Sequence, residues 1–118
     1  MNFQDNALAA PVLREALIVG SDTVLYVHNL NDPAHGDVEP YVNAAAGDVI
    51  EFTVTTSAGR LWRDILVVTP SLDPFVFQIP KSVFGEKPDP GATADLVYTV
   101  TREKIVYKSA VLSVYVKY

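Results

Sequence analysis

Apolar and polar residues alternate over much of this chain, most clearly in residues 47–56. A Gly-Asp pair opens this stretch as a turn, and apolar and polar residues alternate from Ile50 to Thr55. A period of two residues indicates a strand with one buried face, and β-branched and aromatic residues suit a pleated, half-buried surface. The stretch therefore predicts a strand near the centre of a sheet. Its apolar members are Ile50, Phe52 and Val54, and its polar members are Glu51, Thr53 and Thr55.

The same alternation recurs along the chain at spacings of roughly ten residues. We predict further strands at residues 12–19, 22–30, 61–69, 75–79, 95–102 and 108–118. Clusters of Asn, Asp, Gly and Pro predict loops at 31–37 and 86–91. Residues 80–85 are predicted as a single helical turn, and Glu103-Lys104 as the turn before the last strand. The pattern contains no long helix and predicts an all-β sandwich of about seven strands.

Residues 12–19 fit two structures by periodicity alone. Val12, Leu13, Ala16 and Leu17 would share one face of a helix. Pro11 before the run and a glycine after it, together with its short length, favour an edge strand, since proline is confined to sheet edges.

The composition limits the class of protein. Of the 118 residues, 49% are hydrophobic and 19% are charged, which is typical of one folded domain with a substantial core. The net charge of −5 offers no basic surface for nucleic acid or anionic lipid. The chain has no cysteine, which excludes a disulfide framework and a thiolate metal site. We predict a single domain over residues 11–118, preceded by a flexible lead-in at residues 1–10.

Targeting signals are not visible in the chain. No apolar run is long enough to insert into a membrane, and residues 1–10 lack the basic and apolar segments of a signal peptide. The location of the protein is therefore not predicted from its own residues.

Several short motifs follow one another in an order that is informative as a whole. They are residues 10–16 (APVLREA), 45–49 (AAGDV), Trp62, 75–80 (FVFQIP), 96–102 (LVYTVTR) and 109–116 (SAVLSVYV). In this order, which covers most of the chain, they resemble the immunoglobulin-like repeat domains of large bacterial surface and secreted proteins, especially those of pseudomonads and related proteobacteria.

This resemblance implies an immunoglobulin-like antiparallel β-sandwich with Trp62 packed in its core and Tyr98 as an inward tyrosine of the penultimate strand. Such domains act as structural, adhesive or protein-binding modules, so the resemblance implies a protein that is not an enzyme and carries no cofactor. It also favours an extracellular or cell-surface location. Two alternatives stay open: a carbohydrate-binding sandwich that uses exposed aromatic residues, and a small metal-dependent enzyme.

The metal alternative rests on one segment that is rich in histidine and carboxylates. Imidazole and carboxylate groups together suit Zn, Ni or Mn. The spacing of these residues matches no established ligand pattern, and turn formers interrupt it, so a solvated loop explains the segment at least as well. The candidate ligands are His28, Asp32, His35, Asp37 and Glu39.

Other catalytic patterns are missing from the sequence. It contains no Gly-x-Ser-x-Gly elbow and no glycine-rich phosphate loop. The last strand instead suggests an interface, because apolar residues on its outer face would need cover if it lay at a sheet edge. We therefore predict a protein partner or self-association through an edge strand, with a glycan as a further possible ligand. The candidate interface residues are Tyr107, Val111 and Tyr115.

Overall fold

The computed structural model describes residues 8–41, 44–69 and 73–118. These residues form ten strands and two short 3-10 turns, the latter at Val27–Asn29 and Lys81–Val83. No helix within these ranges is long and apolar enough to cross a bilayer. The strands are Val12–Leu13 (β1), Leu17–Val19 (β2), Asp22–Tyr26 (β3), Ala34–Val38 (β4), Val49–Thr56 (β5), Leu61–Val67 (β6), Phe75–Ile79 (β7), Thr93–Arg102 (β8), Ile105–Lys108 (β9) and Leu112–Lys117 (β10).

The strands form two sheets that pack as a sandwich. The smaller sheet has the order β1-β4-β7, and the larger has the order β2-β3-β10-β8-β5-β6, with β9 also paired to β8. Every pairing is antiparallel except that of β10 with β3. In an immunoglobulin-like sandwich, strands A, B and E share one sheet and strands C, F and G share the other. Strands β1, β4 and β7 take the first set of places and β5, β8 and β10 the second, so the predicted fold class is confirmed.

The strand count exceeds the predicted one by three, because residues 12–19 form two strands and because β4 and β9 were not predicted as strands. Residues 12–19 leave the smaller sheet after β1 and join the larger sheet as β2. Between them the Ala16 N–H donates to the Leu13 carbonyl at 3.1 Å, which turns the chain. Both pieces lie at the edge of their sheet, as Pro11 led us to expect.

A β-bulge lies between β9 and β10. The last predicted strand began at Lys108, so β9 lies almost wholly before it and was not predicted as a strand. Thr99 faces Lys108 and Leu96 faces Leu112. Two residues of β8 lie between these pairs, but three residues lie between them on the side of β9 and β10, so that side has one extra residue. The Ser109 hydroxyl occupies the bulge, where it accepts from the Tyr98 N–H at 3.0 Å and donates to the Ala110 carbonyl at 2.8 Å. Because of this extra residue, odd-numbered positions lie on opposite sides of the sheet in β9 and in β10.

Strand β4 corrects the sequence-based prediction, which assigned residues 31–37 to a loop. The prediction was wrong because it gave weight to the turn-forming residues. In the structure Ala34, Gly36 and Val38 alternate as the buried side of a strand. A Cβ added at Gly36 would lie 2.6 Å from Cζ of Phe52. The glycine is therefore present to make room for an aromatic ring of the opposite sheet, which is not a local property of the chain.

The core lies between the two sheets and contains the residues that alternation placed inward. Phe52 of the larger sheet packs on Phe77 of the smaller one with ring centroids 5.0 Å apart. Trp62 is partly buried and contacts Phe52 edge-on at 6.4 Å. Tyr98 is 2% exposed, and burial raises its pKa to about 12. The inward positions predicted for these aromatic residues are confirmed.

The last strand is not a sheet edge, contrary to our expectation. Strand β10 lies between β3 and β8, and the larger sheet, as far as the structure describes it, ends at β2 and β6. Leu8 adds a parallel bridge to Ser109, and its carbonyl accepts from the Ala110 N–H at 3.0 Å. The predicted lead-in otherwise falls mostly on residues 1–7, which lie outside the described ranges.

Candidate functional site

A buried ion pair joins the loop before β5 to the end of β8. Asp48 is 2% exposed and accepts hydrogen bonds from Arg102 Nε at 2.8 Å and Nη2 at 2.7 Å. The Tyr41 hydroxyl donates to the same carboxylate at 2.7 Å, and the Ala45 N–H donates at 3.1 Å. We call the side chains of Asp48, Arg102 and Tyr41 the clamp.

The clamp fixes the charge of its members. The Arg102 guanidinium and the other donors hold the pKa of Asp48 well below its usual range, despite burial. Burial and the adjacent carboxylate raise the pKa of Tyr41 far above its ordinary value. A carboxylate that stays charged and a phenol that stays protonated cannot exchange protons near neutral pH. The clamp is therefore suited to structural stabilisation and not to acid–base catalysis.

The candidate metal ligands do not come together; each contacts different neighbours. His28 stacks on Tyr118 with ring centroids 4.9 Å apart, and Asp32 accepts from the Lys81 N–H at 2.9 Å. On β4, His35 Nδ1 donates to a carboxylate oxygen of Glu15, and Asp37 accepts two hydrogen bonds from Arg14. Glu39 is exposed beyond the end of β4. Within the described ranges, no three His, Cys, Asp or Glu side chains are close enough together to hold a metal ion.

The candidate interface residues lie on different sides of the larger sheet. Tyr107 faces Val100 in the register of β9 with β8, and Val100 is a core residue, so Tyr107 lies on the inward side. Tyr115 is 42% exposed on the outward side, and its partner on the adjacent strand β3 is Val24. Val111 is exposed at the bulge. The bulge separates residues that simple alternation had placed together.

The outward side of β5, β6, β8 and β9, which we call the outer face, contains one mostly apolar row. Val67, Val49, Thr101 and Val106 form one continuous row across the four strands. Val67 and Val106 are 59% and 60% exposed, and Ile65 in the next row is 57% exposed. Solvent-facing positions of an antiparallel sheet are ordinarily polar, so this mostly apolar row departs from the usual pattern.

A groove of about 770 Å³ lies at the opposite end of the sandwich from the clamp. Four separate segments form it: the turn after β3, the turn between β5 and β6, the 3-10 turn after β7, and the residue after β10. Its charged residues are Arg60, Lys81, Lys87, Asp32 and Glu86, and the stacked rings of His28 and Tyr118 form part of its wall.

Sequence reasoning did not find this groove, apart from two residues that it considered as metal ligands. Its residues are distant along the chain and share no motif, so only the pairing of strands brings them to one end. Three of the nine Lys and Arg residues of this acidic chain line the groove together with two carboxylates, so the groove has a small positive excess that composition alone does not reveal.

Comparisons of the chain with protein-family profiles, with curated proteins and with solved structures give no match. The protein is therefore classified by its fold alone, as an all-β sandwich with immunoglobulin-like strand order.

Proposed function

We propose that this protein is a non-enzymatic, immunoglobulin-like binding module, and that the outer face associates with a second copy of the same chain. The row Val67–Val49–Thr101–Val106, in which three of four residues are apolar, is the observation that carries the proposal, with Ile65 beside it. We call it the apolar row. Burial of such side chains contributes roughly 25 cal/mol for each Å² removed from water. The resemblance of the residue order to bacterial surface and secreted repeat domains supports the same role, because those domains bind or adhere and do not catalyse.

The charges of the outer face favour a second copy as the partner. Arg63 and Lys108 lie on this face together with Glu51 and Asp95, so each copy presents both signs. Arg63 and Glu51 already approach within 3.6 Å in one copy. In a two-fold dimer the same surface of each copy contacts that of the other. A face with both positive and negative side chains can therefore pair its charges with those of the second copy.

The size of the outer face indicates a weak association. Four strands about 4.8 Å apart and seven residues at about 3.3 Å each give a flat footprint of about 19 by 23 Å. Stable interfaces bury about 800 Å² on each partner, roughly twice this footprint. We therefore expect a concentration-dependent dimer and not a permanent one.

The first prediction is that the dimer forms at high concentration and is disrupted by a charge in the apolar row. Val67→Lys should weaken dimerisation at least ten-fold, because the ammonium would have to be buried against Val49 and the partner. Sedimentation velocity from about 10 μM to about 1 mM measures the effect.

Val76→Lys is the matched control. Val76 also lies on an edge strand and is 39% exposed, but it belongs to the outward side of the smaller sheet. This variant should dimerise as the parent does. A parent protein that stays monomeric over the whole series, or an equal loss in both variants, would refute self-association through the outer face.

Edge-to-edge pairing of β6 is opposed by one inward-pointing charge. Asp64 faces Phe52 in the register of β5 and β6, on the side that carries Trp62 and Leu66. Its carboxylate accepts from the Ile65 N–H at 2.9 Å. Natural sheets use inward-pointing charges on edge strands to prevent pairing with other chains. Asp64 serves this purpose in an edge strand whose other residues, apart from Arg63, are apolar.

We predict that Asp64→Val causes strand-to-strand association and larger oligomers than the parent forms. Multi-angle light scattering at a single concentration would detect them. Glu39→Val is the control, since it removes one negative charge and adds the same side chain at an exposed position outside any strand. If the two variants have the same mass distribution as the parent, Asp64 has no protective role.

A further inference from the structure

The groove contains two cationic groups whose charge is not used by the fold. Neither the Arg60 guanidinium nor the Lys87 ammonium makes a hydrogen bond or ion pair within the residues that the structure describes. The third cation, Lys81, donates to the Leu30 carbonyl at 2.8 Å. Arg60 and Lys87 are therefore available to an anionic ligand.

The Arg60 guanidinium lies close to the backbone of Gly85. Its Nη1 is 2.9 Å from the point that a Cβ of residue 85 would occupy. Gly85 also has a φ of +83°, a conformation that suits glycine. The guanidinium lines both the main groove and an adjoining hollow of about 280 Å³. A planar guanidinium in such a position can hold a carboxylate through two parallel hydrogen bonds.

The other walls of the groove add an aromatic surface and hydrogen-bond acceptors. Tyr118 is 61% exposed, and its ring is supported by His28. An aromatic ring of this kind offers an apolar face on which the C–H face of a sugar ring can stack. Glu86 and the second oxygen of Asp32 are acceptors, and sugar hydroxyls are the matching donors. A sulfate ion carries no donor for these acceptors, whereas a sugar unit carries hydroxyl donors beside its carboxylate.

We propose that this groove binds an oligosaccharide whose sugars carry carboxylates, that is, a uronic-acid glycan. Arg60 and Lys87 bind the carboxylate, Tyr118 stacks on a sugar ring, and Glu86 with Asp32 accept from hydroxyls. The volume of about 770 Å³ lies within the range of about 300–1,000 Å³ that is usual for small-ligand sites. The site is independent of the outer face, so it does not rest on self-association.

The test compares two ligands that have the same sugar skeleton and different charge. Trigalacturonate and its fully methyl-esterified form have the same sugar skeleton, and the ester lacks the carboxylate charge. Isothermal titration calorimetry should detect binding of the acid and at least ten-fold weaker binding of the ester. Affinity for the acid should also fall as the salt concentration is raised, since an exposed charge pair is screened. Equal affinity for the two ligands, or no binding of the acid, would overturn the proposal.

Variants locate the site and exclude a general charge effect. Arg60→Gln and Tyr118→Ala should each weaken binding of trigalacturonate, the first by about ten-fold or more. Arg63→Gln removes the same charge from an exposed arginine on the outer face and should leave the affinity unchanged. Equal weakening by Arg60→Gln and Arg63→Gln would mean non-specific attraction. Displacement of the glycan by inorganic phosphate at equal concentration would mean a simple anion site, and either result would refute the proposal.

Discussion

Replacement of Asp48 by alanine is expected to lower the free energy of unfolding by about 3 kcal/mol, the lower end of the range for breaking a buried ion pair. The variant leaves the Arg102 guanidinium and the Tyr41 hydroxyl without the acceptor that they share. Arg102 is 31% exposed, so water compensates part of the loss and the upper end of the range is not reached. Urea unfolding of parent and variant measures the difference.

Asp37→Ala is the matched control for the clamp. Asp37 also accepts two hydrogen bonds from an arginine, but the Arg14 side chain is 51% exposed. Exposed ion pairs contribute at most about 1 kcal/mol, because solvent screens them. The two aspartates thus make similar contacts in different surroundings. Equal losses of stability in Asp48→Ala and Asp37→Ala would contradict the assignment of the larger effect to burial.

The clamp also predicts how stability depends on pH. The pKa of Asp48 is lowered in the folded protein, so below neutral pH the unfolded chain binds a proton at Asp48 before the folded protein does. The contribution of Asp48 is therefore fully present above the unfolded value of about 3.9 and is lost as the pH falls further. The stability difference between the parent and Asp48→Asn should be constant from about pH 7 to 5 and should shrink below about pH 4. A difference that does not change down to pH 2 would contradict this account.

Gly36→Ala is expected to destabilise the protein by about 1–3 kcal/mol, although alanine is ordinarily better than glycine in a strand. Its Cβ would lie 2.6 Å from Cζ of Phe52 and 3.2 Å from Cδ1 of Ile79. Both neighbours are completely buried, so neither can move without displacing the rest of the core. Thermal or urea unfolding measures the loss.

A double-mutant cycle separates this steric effect from a general effect of the substitution. Phe52→Leu removes the ring atoms that the new methyl group would meet. In that background Gly36→Ala should cost less than about 1 kcal/mol, so the two changes should be coupled by about 1 kcal/mol or more. The same cost in both backgrounds would show that Phe52 is not the reason for glycine at position 36.

Local alternation predicted much of this fold because a strand with one buried face has apolar residues at every second position. Strand β7 begins and ends as predicted, and the inward residues of β5 and β8 are those that alternation selects. The turn at Glu103-Lys104 is also confirmed, with φ of 52° and 68° at its two residues. These features depend on residues a few positions apart.

The errors occur where a distant part of the chain decides the local structure. Strand β4 consists of turn-forming residues and is a strand because β1 and β7 flank it and Phe52 requires Gly36. The bulge at Ser109 exists only in relation to β8, and it places Tyr107 and Tyr115 on opposite sides. No periodicity within the chain contains this information.

The sequence by itself determined the class of fold, the inward faces of the main strands and the acidic, cysteine-free character of the protein. Only the tertiary structure decided which strands are edges, which charges are buried and which side chains form a site. The physical reason is that burial and pairing depend on distance in space. Asp48 and Arg102 are 54 positions apart yet share two hydrogen bonds, and the groove joins four segments that are separate in sequence.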